Sequence, residues 1–134
     1  MNIIILSFNN AFQLKFLLES IDKNLTGEKK INVLYTYDSN MFESEYLQII
    51  SEYNNINWIK ESNIKNDILD ILTKDEQEFV CLFTDNNIVY KEVNVDELLS
   101  ALKADNSILT ATLRLGLNTT ICKNLNCNNV ILPS

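Results

Sequence analysis

Asp85, Asn86 and Asn87 stand together one residue after an unbroken apolar run at 79–83. An acid followed by two amides offers hard oxygen ligands, the kind that hold Mg2+ or Mn2+ and, through the cation, a diphosphate. Two similar polar breaks lie earlier: Ser7 and Asn9 close the run at 3–7, and Asp38 with Ser39 closes the run at 31–37. Their hydroxyls, amides and carboxylates have the chemistry to hold a base and a ribose. Lys65 and Asp67 open a later segment, where the lysine is suited to meet a diphosphate. Arg114 follows another apolar run, where a guanidinium is suited to clamp a phosphate. Each group also has a plainer reading. Asn, Asp and Ser populate turns because their side chains bond nearby backbone. An acid in a helix's first turn meets the dipole there, and most lysines and arginines are solvated. On the residues alone both readings stay open.

The elements that must position these groups follow from periodicity. The runs at 3–7 and 79–83 show no polar alternation, so both are expected as strands buried on two faces of a covered parallel sheet. Residues 31–37 and 56–59 supply two more strands, the latter with the only tryptophan, Trp58. Leu14, Leu17, Leu18, Ile21 and Leu25 recur at helical steps over 12–25, with Gly27 the expected stop. Asn40 with Glu43 reads as a capping box opening a helix that runs to Tyr53 and buries Tyr46, Leu47 and Ile50. A short helix over 65–73 should bury Ile68, Leu69 and Leu72. Asn94 with Glu97 caps another, striped by Val95, Leu98, Leu99 and Leu102. The Thr-rich residues 107–113 read as a fifth strand. The alternation predicts a single α/β domain over 1–134: a mostly parallel sheet with helices on both faces. Ligands of such sheets sit beyond the carboxyl ends of the strands, where the polar breaks fall.

Composition removes several classes of function. With no histidine in 134 residues, Ser-His-Asp and Cys-His nucleophiles and histidine-ligated zinc are excluded. Two glycines, Gly27 and Gly116, write neither a dinucleotide-binding turn nor a P-loop. A formal net charge of -7 argues against a nucleic-acid partner, which needs a basic face. Three cysteines without tidy spacing suggest a reducing compartment, and the expected location is cytoplasmic. Cys81 reads as core, while Cys122 and Cys127 lack two further ligands for a metal. No apolar run approaches the ~20 residues of a transmembrane segment.

At this point the sequence resembles a family. An apolar strand ending in Ser7-Phe8-Asn9, a strand ending near Asp38, and an apolar strand running into Asp85-Asn86-Asn87 look like the nucleotide-binding half of GT-A glycosyltransferases. Trp58-Ile59-Lys60-Glu61-Ser62-Asn63, Leu82-Phe83-Thr84-Asp85-Asn86-Asn87-Ile88-Val89-Tyr90 and Leu113-Arg114-Leu115-Gly116-Leu117-Asn118 are similar to segments of bacterial members. The resemblance covers nearly the whole chain. It implies a nucleotide-sugar donor, foremost a UDP-sugar, with Mn2+ or Mg2+ bridging its diphosphate, and an acceptor such as a cell-surface glycan. Carried over by position, Asp38 or Ser39 touches the nucleoside, Lys65 and Asp67 lie near base and ribose, and Asp85 with Asn87 holds the metal.

Two departures open an alternative. The third residue of the triplet is the neutral Asn87, which brings less charge to a cation than an acid does. GT-A domains also usually run longer, and no residue here stands out as a catalytic base. The leading expectation is therefore a metal-dependent glycosyltransferase or its donor-binding half, truncated relative to the family. The alternative is a catalytically inactive nucleotide-sugar-binding or scaffold domain. A receiver-like module of similar size would need clustered acids after the first strand, where this chain has Ser7-Phe8-Asn9-Asn10. An uncovered sheet edge would favour a homo-oligomer.

Overall fold

In the computed structural model the chain runs β1 (Asn2–Phe8), α1 (Ala11–Asn24), β2 (Leu25–Thr26), β3 (Lys30–Thr36), α2 (Asn40–Glu52), β4 (Asn57–Lys60), α3 (Ile64–Lys74), β5 (Val80–Thr84), β6 (Val93–Asn94) and α4 (Val95–Ala104). A two-stranded antiparallel ladder, β7 (Ile121–Cys122) with β8 (Cys127–Asn128), sets Cys122 opposite Cys127 along the backbone. The structure describes residues 1–74, 78–105, 107–108 and 110–111, and the backbone of 121–122 and 127–128. It falls into two units, Met1–Ser100 and Ala101–Ser134.

The first unit carries a four-stranded parallel sheet in the order β4-β3-β1-β5. β1 sits between β3 and β5, which is why 3–7 reads as an uninterrupted apolar run. Ile3 and Ile5 enter one core with Val33, Phe83 and the buried stripe of α1, Ala11, Leu14, Leu17, Leu18 and Ile21. Ile4 and Leu34 point to the opposite face and meet Ile71 of α3. Helices thus cover both faces, unequally. Four large α1 side chains are buried against one from α3, at about 1.5–3 kcal/mol each. The α1 face therefore dominates the stability of this unit.

Several local expectations need correction. β5 is not buried on both faces: Cys81 and Phe83 turn inward, while Val80 is 38% and Leu82 62% exposed. Among the described strands β5 is an edge, and the buried contacts of α3 lie over β1 and β3. The stripes of α2 and α3 are shifted in phase. α2 buries Tyr46 and Ile49 and leaves Leu47 59% exposed, and α3 buries Ile71 while Leu69 and Leu72 are exposed. α2 buries its side chains against α1 and Tyr35, and α3 against β1 and β3. The capping box at Asn40 does not form. Ser39 is the N-cap of α2 without a side-chain bond, and Glu43 accepts from the Tyr37 hydroxyl at 2.6 Å.

Gly27 does not stop α1, which ends at Asn24 and passes into β2. Gly27 instead makes the turn after β2 with φ +96°, where a side chain would also press on Asp96 of α4. Asn94 does cap α4, accepting from the Asp96 and Glu97 amides at 2.9 and 3.3 Å. The described part of 107–113 (Ser107, Ile108, Thr110 and Ala111) is not strand. A turn closes there because the Ile108 amide donates to the Asp105 carbonyl and the Asp105 carboxylate accepts from Ser107. The rest of that segment, with Arg114, lies outside the described residues.

Candidate functional site at the strand ends

The strand order reverses between β1 and β5: the chain proceeds from β1 outward to β3 and β4, then returns to the other side of β1. In sheets of this kind the two crossovers diverge there and leave a crevice beyond the carboxyl ends. Ser7 and Asp85 meet at that point. The Ser7 hydroxyl donates to Asp85 Oδ2 at 3.0 Å, and the Phe8 amide donates to the same oxygen at 3.1 Å. The Asp85 amide closes the ladder on the Leu6 carbonyl. Asp85 Oδ1 accepts nothing among the described residues.

Tyr46, which periodicity marks only as core, belongs to this cluster. Its side chain is fully buried, and its hydroxyl lies 2.6 Å from Ser7 Oγ and accepts from the Asn10 amide at 3.2 Å. Ser7 has one proton and gives it to Asp85, so the Tyr46 hydroxyl is the donor to Ser7. Burial pushes the Tyr46 phenol above its ordinary value, with the donating Asn10 amide opposing. The one sequence signal for it was a tyrosine at a core position, since a buried phenol needs a polar partner.

Asn9 joins the end of β1 to the end of β3. It sits in the left-handed region at φ 53°, which asparagine tolerates better than most residues. From there its amide donates to the Thr36 carbonyl, and its side-chain oxygen accepts from the Asp38 amide at 3.0 Å. Asp38 and Ser39 are exposed just beyond β3. Next to them the Tyr37 hydroxyl accepts from Lys60 Nζ at 2.7 Å, and that ammonium lies 4.3 Å from the Tyr37 ring centre.

The loop after β5 is tied at both ends. Asn87 Oδ1 accepts from the Thr84 amide at 2.9 Å and from the Thr84 hydroxyl at 3.2 Å, so the turn absorbs this oxygen. Further on, α1 grips Val89. The Asn24 side chain donates to its carbonyl at 2.5 Å, and Ser20 Oγ accepts from its amide at 3.0 Å. These two α1 residues carry no sequence signal beyond their i, i+4 spacing.

Asp67 and Lys65 lie at the far edge of the sheet, on α3 after β4. With neighbouring strands ~4.8 Å apart, the ends of β4 and β5 are roughly 14 Å from one another. Asp67 Oδ2 accepts from the Ser62 and Asn63 amides at 2.8 and 3.0 Å, and Oδ1 from the Ser62 hydroxyl. Those bonds hold the Asp67 carboxyl below its ordinary value. Lys65 is exposed. The sheet therefore gathers Ser7, Asn9, Asp38, Ser39, Asp85 and Asn87 along adjacent strand ends and leaves Lys65 and Asp67 at the rim.

For a divalent cation, Asp85 fits as a ligand through its unclaimed Oδ1, whereas Asn87 ligates only if its turn to Thr84 opens. No group of three or more acidic or thiol side chains arranged to hold a metal occurs among the described residues. Asp85 Oδ1 and the amide oxygen of Asn87, already claimed by its turn, are few protein ligands for a divalent cation.

The chain is similar to a bifunctional glycosyltransferase, pgtA, of Dictyostelium discoideum, with 28% identity over 140 residues. The similarity covers 98% of this chain and 18% of that protein, so the chain spans less than a fifth of its relative's length. No family model matches the chain, and no solved structure matches it. Among the described residues no helix is long and apolar enough to cross a membrane.

Proposed function

We propose that this chain is the nucleotide-sugar-binding part of a GT-A-type glycosyltransferase, with its donor in the crevice beyond β1, β3 and β5. The observation that carries the reading is Asp85 locked to Ser7 where the strand order reverses, with one carboxylate oxygen left for a ligand. Similarity to a glycosyltransferase along 98% of the chain supports glycosyl transfer as the chemistry. A UDP-sugar is the donor class and a glycan the acceptor class.

In this reading Asp38 and Ser39 meet the nucleoside beyond β3, while Asn9 fixes the backbone that presents them. Asp85 would hold Mg2+ or Mn2+ through Oδ1, and such a cation, when bound, stabilises negative charge on a departing diphosphate. The bonds from Ser7 and Phe8 hold the carboxylate in place beforehand, so little ordering remains to be done on binding. Lys65, exposed at the rim after β4, would lie toward the base and ribose end of the donor.

A second reading, a catalytically silent donor-binding domain, is favoured by Asn87, whose only side-chain oxygen is absorbed by the turn. Thermal unfolding against UDP, GDP, CMP and their sugars, with and without Mn2+, tests the donor site common to both. A ligand at ~100 times its dissociation constant adds about 2.7 kcal/mol, a shift of several degrees. A metal-dependent shift with one nucleotide, lost in Asp85→Ala, is the expected result. No shift with any nucleotide overturns the donor site. Release of free sugar or transfer to a glycan then separates the enzyme from the silent domain.

A further inference from the structure

We infer that Tyr46 is a positioning residue for Asp85: acting through Ser7, its hydroxyl locks Oδ2 to β1 and leaves Oδ1, which accepts nothing among the described residues, for a ligand. Packing alone does not call for a tyrosine here. The side chain is 0% exposed, and phenylalanine would fill the same core space without burying a hydroxyl. The hydroxyl instead stands in a directed chain: the Asn10 amide donates to Tyr46, Tyr46 to Ser7 at 2.6 Å, and Ser7 to Asp85 at 3.0 Å. Each donor in such a chain polarises the next, so the last bond, to the carboxylate, is strengthened by those before it.

The start of the chain is itself fixed. The Tyr46 ring stacks with Tyr35 at 5.1 Å between centroids and with Tyr37 at 5.9 Å. Tyr37 is in turn held by Lys60 and Glu43. The aromatic cluster at the end of β3 thereby sets the direction of an acid beyond β5, two strands away. The effect on ligand binding rests on the donor-site reading above, whereas the coupling of Tyr46 to Asp85 does not.

The test is a double-mutant cycle of Tyr46→Phe and Asp85→Ala, read by melting temperature without ligand, together with UDP–Mn2+ affinity measured by calorimetry. No hydrogen bond joins the two residues directly, and each bonds Ser7, so roles independent of that link give additive losses in melting temperature. The relay predicts overlap, with the double variant losing less than the sum by ~2 °C or more. It also predicts that Tyr46→Phe weakens UDP–Mn2+ binding about three- to tenfold while the protein is fully folded. Ser7→Ala, which cuts the chain at its middle, should weaken it to a similar degree and replaces Tyr46→Phe if that variant does not fold. Additive losses overturn the relay whatever the nucleotide does. Overlap with unchanged affinity overturns the positioning role. Overlap in a protein whose wild type ignores UDP, GDP and CMP alike supports the relay and overturns the donor site instead.

Discussion

The Ser7 hydroxyl and the Asp85 carboxylate, 78 positions apart in the chain, meet at 3.0 Å where β1 and β5 end side by side. The parallel register that pairs Leu6 with Thr84 makes the meeting unavoidable, because each strand then delivers its next residue to the same spot. One carboxylate oxygen is consumed in joining the strands, and the other remains. Structure and binding are therefore linked in a single side chain.

Asp85→Ala should show both effects. The Ser7 hydroxyl and the Phe8 amide lose their acceptor, which costs about 1–3 kcal/mol of stability. Any nucleotide-dependent rise in melting temperature should vanish with it. Urea unfolding and the ligand series above measure the two separately. A fully stable Asp85→Ala protein would mean that solvent replaces these bonds.

Asn24→Ala should loosen the loop after β5. Its amide bonds the Val89 carbonyl, while Ser20 holds the Val89 amide from the preceding turn of α1. Loss of one such partly buried bond costs about 1 kcal/mol. Ser20→Ala should speed hydrogen exchange at the Val89 amide well beyond the change in global stability. Unchanged exchange there would show that the chain, not α1, fixes the loop.

Gly27→Ala should be among the most damaging substitutions of a surface residue. At φ +96° an L side chain is strained, and the added Cβ would stand 3.0 Å from Asp96 Oδ2 and 3.2 Å from Val95 Cβ. A loss of about 1–3 kcal/mol by urea unfolding is expected. By contrast, Leu82→Glu on the open side of β5 should change stability by less than about 0.5 kcal/mol. Any self-association through that face, followed by light scattering, should fall in the Leu82→Glu variant.

Acid should weaken the start of α3. Asp67 is held below its ordinary 3.8 by bonds from the Ser62 and Asn63 amides. A carboxyl whose folded pKa is depressed adds stability that is whole above its unfolded value and is lost as pH falls through the folded one. The urea midpoint of the wild type should therefore drop more steeply below about pH 4 than that of Asp67→Asn. Asp105 and Glu52 are depressed as well but are present in both proteins, so the difference isolates Asp67. If Asp67 serves chiefly as this clamp, Asp67→Asn leaves any nucleotide response in place at neutral pH.

The alternation of strands and helices was legible because period and composition are local properties. The run at 3–7 showed a strand covered on both sides, and the Leu14–Ile21 stripe showed the helix that covers it. Which residues of a stripe are buried was less legible. Leu47 and Ile49, or Leu69 and Ile71, differ only by the angle at which a helix meets the sheet, and no local pattern encodes that angle. The run at 79–83 misled for a related reason: an edge strand with one open face and a central strand can share an apolar sequence.

The sequence by itself determined the four helices, the strands β1, β3, β4 and β5 in their order, and the polar groups at those strand ends, because these depend on side-chain type and spacing along one segment. It missed β2 and β6, and it misread the described part of 107–113 as strand. It also determined what is impossible, since a chain with no histidine and two glycines cannot write several kinds of site. Only the tertiary structure decided which polar groups meet. Setting β5 beside β1 joined Asp85 to Ser7, and packing α2 over the sheet brought the Tyr46 hydroxyl beneath them. The same folding turned Asn87 toward Thr84 and Asp67 toward Ser62, while Asp85 Oδ1 accepts nothing among the described residues. Hydrogen bonds act over about 3 Å while the residues that make them stand tens of positions apart, so only the register of the sheet can say which are formed.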